Sequence, residues 1–125
     1  MLVVTRHRVD PRDAASFLGR ARAVLTVLAD CPGWRSGQVG RAIDDPTLWI
    51  LTGEWADVGS YRRALSAPEV KMAVMPLLAA ALDEPTAFEL LTDADGDGTA
   101  LAADADVVAV GKAAAPAVAT DLDRR

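Results

Sequence analysis

Apolar and polar residues alternate, or recur at helical spacing, in consecutive blocks through the first two thirds of the chain. Residues 2–9 (LVVTRHRV) alternate two sets of side chains and are rich in β-branched residues, which is typical of a β-strand. Asp10 and Pro11 then supply a helix cap and a first helical residue. Four apolar residues follow at helical spacing: Phe17, Ala21, Val24 and Leu28. The pattern predicts a strand and then a helix that ends at Cys31-Pro32-Gly33.

Two further blocks have the pattern of strands. Residues 34–43 and 47–55 are rich in apolar and aromatic residues, and Asp44-Asp45-Pro46 between them has the composition of a turn. We therefore predict an antiparallel hairpin. Its internal glycines, Gly37, Gly40 and Gly53, predict bulges or close approach of another group to the backbone.

The next blocks return to helical spacing. Asp57 can cap a short helix with Val58, Tyr61 and Leu65 on one side, and Ser66 with Glu69 has the spacing of a capping box for a second helix. That second helix is predicted to bury Val70, Val74, Leu77 and Ala81, with a kink at Pro76. Residues 86–91 (TAFELL) predict a fourth strand.

The predicted order is β-α-β-β-α-β, which is that of an α+β ferredoxin-like domain over residues 1–91. Both helices then lie on one face of an antiparallel sheet, and the other face stays bare. The strands carry apolar residues on both of their faces, so a second copy of the chain would cover the bare one. We therefore expect a homodimer whose sheets pair. Arg6 and Arg8 alternate with His7 and are expected on the dimer side.

Residues 92–125 differ from the rest. They hold seven Asp and three basic residues and no aromatic residue, whereas residues 1–91 hold 11 acidic and 10 basic side chains. We interpret them as an acidic C-terminal tail; an alternative interpretation is that residues 106–110 add an edge strand. Asp93, Asp95, Asp97 and Gly98, with Asp104, match part of a calcium loop. A strand precedes this segment and the usual final Glu is an Asp, so a metal site is not predicted.

Composition excludes several classes of function. The net charge of −5 argues against a nucleic-acid or anionic membrane surface. No apolar run approaches the ~20 residues that span a bilayer. No secretory leader is visible, and the single Cys31 cannot form an internal disulfide, so we expect a cytoplasmic location. Nucleotide-binding glycine motifs, the GxSxG motif and His/Cys zinc clusters are also missing from the sequence.

Residues 1–91 resemble the antibiotic biosynthesis monooxygenase family, which belongs to the dimeric α/β-barrel superfamily. The resemblance rests on Arg8-Val9-Asp10-Pro11 after the first strand, on Pro32-Gly33-Trp34, on Gly53-Glu54-Trp55, and on the segment Tyr61–Ser66 followed by Val70-Lys71. It implies a ligand pocket between the sheet and the helices. The family includes cofactor-independent oxygenases of aromatic polyketides and haem-degrading oxygenases.

The resemblance also implies site residues. The haem-degrading branch uses an Asn on strand one, a Trp that closes strand three and a His ligand on the last helix, and these positions fall on His7, on Trp55 and near Val74. Because Val cannot bind iron, we expect neither haem nor another cofactor.

Oxygenation without a cofactor needs an electron-rich aromatic substrate, a base and an apolar pocket with hydrogen-bond donors. We predict His7 and Trp55 as catalytic residues, and Tyr61, Trp49 and Val74 as substrate-binding residues. Two alternatives stay open. In the first, the pocket serves a non-oxidative cyclase, isomerase or binding protein; in the second, it is collapsed in a dimer with a structural or interaction role.

Overall fold

The strands and helices follow one another in the predicted order. A computed structural model describes residues 1–94 and the backbone of residues 100–101. Residues 1–89 contain β1 (Leu2–Arg8), a 3₁₀ turn (Pro11–Asp13), α1 (Ala14–Ala29), β2 (Trp34–Arg41), β3 (Leu48–Trp55), α2 (Val58–Ser66), α3 (Pro68–Ala79) and β4 (Ala87–Phe88). The prediction of an α+β ferredoxin-like fold is therefore confirmed.

The sheet has the order β2-β3-β1-β4 with antiparallel neighbours. β1 and β3 occupy its centre, where His7 pairs with Trp49 and Val3 with Gly53. Successive residues of a strand point to opposite faces, so Val3, Thr5 and His7 are buried on one face while their neighbours are more accessible. This buried face, the inner face, is the one that the helices cover.

The core lies between the inner face and the helices. α1 and α3 contribute the apolar stripes that their spacing predicts, and the two central strands contribute their alternate residues. The buried apolar side chains are Val3, Val9, Phe17, Ala21, Val24, Leu28, Trp49, Leu51, Trp55, Ala64, Val70, Val74 and Leu77.

Two predicted helix caps are present. Asp10 Oδ1 accepts a hydrogen bond from the backbone N–H of Arg12 at 2.9 Å, and Pro11 begins the 3₁₀ turn that leads into α1. Asp57 Oδ1 accepts from the backbone N–H of Ser60 at 2.7 Å and caps α2. Side-chain caps of this kind satisfy backbone donors that have no partner within the helix.

The predicted capping box at the start of α3 is wrong. Ser66 is still the last residue of α2, and its hydroxyl donates to the carbonyl of Arg62 at 2.8 Å. Ala67 is the N-cap residue and provides no side-chain hydrogen bond. Only Ala67 separates the two helices, so Ser66 cannot adopt the extended conformation of a cap. α3 continues through Pro76 and ends at Ala79. Ala81, which the sequence predicts as a buried residue of this helix, therefore lies outside it.

The fourth strand is shorter than predicted, because its partner ends. Phe88 pairs with Leu2, the first residue of β1, and Ala87 pairs with Val3. Thr86 adds one further bond, since its carbonyl accepts from the N–H of Val4 at 2.7 Å. Residues 89–91, which the sequence places in the strand, do not belong to this sheet.

Contacts divide the chain into a unit Met1–Glu89 and a unit Leu90–Arg125. In the second unit, β5 (Asp93–Ala94) pairs antiparallel with β6 (Ala100–Leu101). Most of the segment that resembles a calcium loop, and the possible edge strand at 106–110, lie outside the described residues. None of the helices in the described part of the chain has the length and apolar content that crossing a bilayer requires.

Candidate active site

A small cavity lies between one end of the inner face and the helices. It measures about 20 Å³, which is room for about one water molecule. Its walls are mostly apolar, with Trp34, Trp55 and Tyr61 as the aromatic members. The remaining lining residues are Val3, Thr5, Leu28, Leu51, Thr52, Gly53, Leu65, Val74 and Leu78.

Backbone glycines make the space that the aromatic cluster occupies. Gly37 on β2 pairs with Gly53 on β3, and the Trp34 ring lies over both. A Cβ atom at Gly37 would come within 2.5 Å of that ring, and one at Gly53 within 2.8 Å. The expectation of a close approach at these two glycines is confirmed. It also explains how an indole as large as that of Trp34 fits against the sheet.

The three aromatic rings contact one another in favourable orientations. Trp34 and Trp55 meet edge to face, with centroids 5.2 Å apart and planes at 85°. Tyr61, on α2, lies with its ring centroid 5.8 Å from that of Trp55. Edge-to-face and tilted pairs at such distances are the preferred geometry of aromatic side chains. Within residues 1–94, the indole N–H of Trp55 and the hydroxyl of Tyr61 donate no hydrogen bond.

The buried polar pair beside this cavity is Thr5 and His7. The Thr5 hydroxyl lines the cavity, and its oxygen lies 2.8 Å from Nε2 of His7. The same hydroxyl is 3.5 Å from the carbonyl oxygen of Leu51. His7 is only 2% exposed. Burial, with a smaller contribution from the positive charge of Arg20, lowers the pKa of His7 below its usual value. The imidazole is therefore neutral near pH 7 and can accept a proton.

His7 belongs to a second aromatic cluster, next to the cavity but outside its lining. Its ring centroid lies 5.2 Å from that of Phe17, which in turn lies 5.2 Å from that of Trp49. The Arg20 guanidinium stacks over Phe17 at 5.7 Å and that of Arg41 over Trp49 at 5.4 Å. The indole N–H of Trp49 donates to the carbonyl of Pro46 at 3.2 Å. The side chains of His7, Phe17 and Trp49 at this end are buried and pack against one another.

The structure brings together some of the predicted site residues and separates others. Trp55, Tyr61 and Val74 line the cavity, whereas His7 reaches it only through Thr5 and Trp49 does not reach it. Sequence reasoning missed Thr5 and Trp34 as site residues. Thr5 could have been found from its position two residues before His7 on the same strand, which places both on one face. For Trp34 the signal was the pair of glycines across from it.

Arg6 and Arg8 face away from this site, as their alternation with His7 predicts. Arg8 donates to Asp45 at 2.9 Å and to Thr47 at 2.7 Å, and Arg6 lies 3.8 Å from Glu84. These contacts are on the exposed side of the sheet, where single ion pairs contribute little stability.

The cavity does not fit haem or a metal ion. Val74, at the position that the resemblance assigns to a haem ligand, is fully buried and has no donor atom. Among residues 1–94, no three His, Cys, Asp or Glu side chains converge in a way that could hold a metal ion.

Comparison with known proteins identifies the family of the chain and solved structures that share its fold. Residues 1–75 match the family described as antibiotic biosynthesis monooxygenase. SnoaB, a cofactor-independent oxygenase from Streptomyces nogalater, is 25% identical and superposes with a TM-score of 0.59 over 72% of this chain and 94% of its own. No protein of curated function matches the sequence.

Two other solved structures share the fold at lower identity. Rv0793 from Mycobacterium tuberculosis is 16% identical, with a TM-score of 0.58 over 75% of this chain and 97% of its own. A conserved protein from Methanosarcina mazei Go1 is 23% identical, with a TM-score of 0.56 over 69% of this chain and 84% of its own. At this identity the similarity establishes the fold alone.

Proposed function

Because the chain belongs to the antibiotic biosynthesis monooxygenase family, we propose that it oxidises an electron-rich aromatic metabolite with molecular oxygen and without a cofactor. The observation that carries the proposal is the cavity between sheet and helices, in which aromatic walls adjoin the Thr5–His7 hydrogen bond. The similarity to SnoaB, which is a cofactor-independent oxygenase, supports it. A flat polyketide-like substrate, such as an anthrone, fits this chemistry.

The reaction of an anthrone needs few protein groups. A base removes a proton from the substrate, and the resulting carbanion passes one electron to O₂. The two radicals combine to a peroxide, and loss of water from it leaves a ketone. One CH₂ group and one O₂ thus become one C=O group and one H₂O. The protein accelerates this sequence by accepting the proton and by stabilising the negative charge on the substrate oxygen.

His7 and Thr5 supply the base in this proposal. Neutral His7 accepts the proton through the Thr5 hydroxyl, which stands between the imidazole and the cavity. General-base catalysis of this kind typically contributes about 10²–10⁴-fold to a rate. The N–H of Trp55 and the hydroxyl of Tyr61 are the donors available to the substrate oxygens, because neither has another partner within residues 1–94.

The size of the cavity favours a second candidate function. A ligand pocket usually encloses about 300–1,000 Å³, whereas this cavity measures only about 20 Å³. Trp55 is 1% exposed and Trp49 5%. A core with so little free volume suits a structural or interaction dimer. The oxygenase proposal therefore requires that side chains move aside when the substrate binds.

We also propose that two copies of the chain pair through the outer face of the sheet. Ile50 and Phe88 are 37% and 40% exposed there, beside the half-buried Leu2, Val4 and Leu48. Their strand register places them on the face that carries no helix within the described residues. An apolar surface of this kind is typical of an interaction site. An Ile50→Asp variant is expected to sediment as a monomer where the parent sediments as a dimer; a monomeric parent would contradict the proposal.

Oxygen uptake with a panel of anthrones and hydroquinones tests the function. Uptake of one O₂ per anthrone that depends on the protein, and that a folded His7→Ala/Trp55→Ala variant loses, is the expected result. Quenching of tryptophan fluorescence by the ligand without oxygen uptake would replace the oxygenase by a non-oxidative cyclase or binding protein. Neither uptake nor quenching with any member of the panel would favour the structural or interaction dimer.

A further inference from the structure

A second, larger cleft lies beside the candidate site, at the edge of the sheet next to α2. It has a volume of about 280 Å³, and its lining includes Met1, Val58, Tyr61, Arg62 and Phe88. We call it the edge cleft. Its walls are largely apolar, with the charges of Arg62 and Glu89 at its margin. The volume is close to the lower limit of about 300 Å³ for ligand pockets.

Tyr61 belongs to both the edge cleft and the inner cavity. Its ring therefore contacts both a space of about 280 Å³ and one of about 20 Å³. The ring is half-buried, and its hydroxyl has no hydrogen-bond partner within residues 1–94. Packing alone holds the ring in place, so rotating it breaks no polar contact with the described residues. Burial raises the pKa of the Tyr61 hydroxyl, which keeps it neutral.

The other walls of the edge cleft are fixed by backbone hydrogen bonds. Met1 and Trp55 exchange two of them, since the nitrogen of each donates to the carbonyl of the other at 2.9 Å. Phe88 is paired with Leu2 at the end of the sheet. The α2 backbone is fixed at its start by the Asp57 cap. Tyr61 is the lining residue that the edge cleft shares with the inner cavity, and its side chain can move without loss of a hydrogen bond to the described residues.

A third cleft offers no route to the cavity. It lies between the end of α1 and the helices α2 and α3, has a volume of about 420 Å³, and is lined by residues that include Cys31, Arg63 and Glu69. It shares no lining residue with the inner cavity. Its larger size therefore does not make it the entrance, and it provides a matched control for the edge cleft.

We propose that the edge cleft is the docking site for the flat aromatic substrate, and that the Tyr61 ring is the gate through which the substrate enters the inner cavity. The proposal rests on the proposed function for the identity of the ligand. The apolar walls suit a neutral polycyclic ring, which docks against Met1 and Val58. Rotation of Tyr61 then joins the two spaces, and the ring reaches Trp55 and the Thr5 hydroxyl.

The test is a stopped-flow measurement of anthrone binding under nitrogen, followed by the quenching of tryptophan fluorescence. Without oxygen no turnover occurs, so the association rate reports entry alone. Binding that requires a conformational change is slow, so Tyr61→Ala is expected to raise the rate about tenfold, whereas Tyr61→Phe, which keeps the ring, raises it much less. Val58→Phe narrows the edge cleft and is expected to lower the rate. Glu69→Phe, in the third cleft, is expected to leave it unchanged.

Three results would overturn the gate. These are an association rate that Tyr61→Ala does not raise, an equal slowing by Val58→Phe and Glu69→Phe, and the absence of quenching in every variant. Circular dichroism establishes that each variant is folded. A protein that binds through this gate but takes up no oxygen would retain the gate and lose the oxygenase, so the two failures are distinguishable.

Discussion

The two ends of the inner face are built from similar residues and have different properties. At one end, Trp34, Trp55 and Tyr61 surround a cavity, and at the other, His7, Phe17 and Trp49 pack into a solid cluster. Gly37 and Gly53 at the first end carry no side chain, and the Trp34 ring lies over both of them beside the cavity. At the second end the rings are covered by arginine side chains instead. Aromatic content alone therefore does not identify a pocket, whereas the neighbouring glycines do.

Removal of a tryptophan should show the difference most strongly. Trp55→Ala and Trp49→Ala each delete a buried indole and are expected to lower the free energy of unfolding by about 3–5 kcal/mol. Urea unfolding followed by circular dichroism measures both. Two milder substitutions distinguish the two ends of the inner face. Trp55→Phe is expected to lower kcat/KM for anthrone oxidation about tenfold, whereas Trp49→Phe lowers it by no more than about twofold. Equal losses would mean that the two ends do not differ in function.

Thr5 connects the two ends of the inner face, and Thr5→Val removes its hydroxyl while it keeps the shape of the side chain. Thr5→Val is expected to lower the rate of oxygen uptake at least tenfold, since it breaks the path from the cavity to His7, and to cost about 1–3 kcal/mol of stability because Nε2 loses its buried partner. Thr5→Ser keeps the hydroxyl and should retain most of the rate of oxygen uptake and most of the stability. Activity of Thr5→Val equal to that of Thr5→Ser would exclude the hydroxyl from the reaction.

The lowered pKa of His7 predicts a dependence on pH. A histidine whose pKa is lower in the folded than in the unfolded chain binds fewer protons when folded, so its contribution to stability is complete above its ordinary pKa of about 6.5 and decreases as pH falls below it. The free energy of unfolding should therefore decrease from pH 7 to pH 5 more in the parent than in His7→Gln. Oxygen uptake should decline at acid pH with an apparent pKa below 6.5. A steeper pH dependence of stability in His7→Gln would contradict this.

The smallest expected effect concerns α2, which carries Tyr61 over the cavity end. Asp57→Ala removes the cap of this helix and is expected to cost about 0.5–2 kcal/mol. Ser66→Ala removes only a bond to the preceding turn and should change stability by less than about 0.5 kcal/mol. Thermal unfolding of the two variants compares them. A larger loss from Ser66→Ala than from Asp57→Ala would contradict the assignment of Asp57 as the residue that stabilises the start of α2.

Periodicity predicts most of this fold because local burial determines it. The alternation in residues 2–9 and the helical spacing of Phe17, Ala21, Val24 and Leu28 match the buried faces. The length of β4 was not predictable, since it depends on where the paired strand β1 ends. The capping box failed for a similar reason, because α2 continues to Ser66 and leaves one residue before α3.

The candidate site was harder to predict from the sequence than the fold. Trp55 could be proposed from the family resemblance and Tyr61 from the chemistry of an aromatic pocket, and both line the cavity. The separation of His7 from the cavity by Thr5 depends on side-chain packing between strands far apart in the chain, which spacing does not encode. The same holds for Trp49, since the carbonyl of Pro46 and the Arg41 guanidinium fix its position at the other end.

The indole N–H signals of Trp34, Trp49 and Trp55 in a heteronuclear NMR spectrum test the difference between the two ends directly. An anthrone is added under nitrogen and the three signals are followed. A ligand that binds in the cavity should shift the signals of Trp34 and Trp55. The signal of Trp49, whose indole N–H is hydrogen-bonded to the carbonyl of Pro46, should not shift. A shift of Trp49 with Trp34 and Trp55 unaffected would place the ligand at the other end and contradict the site described above.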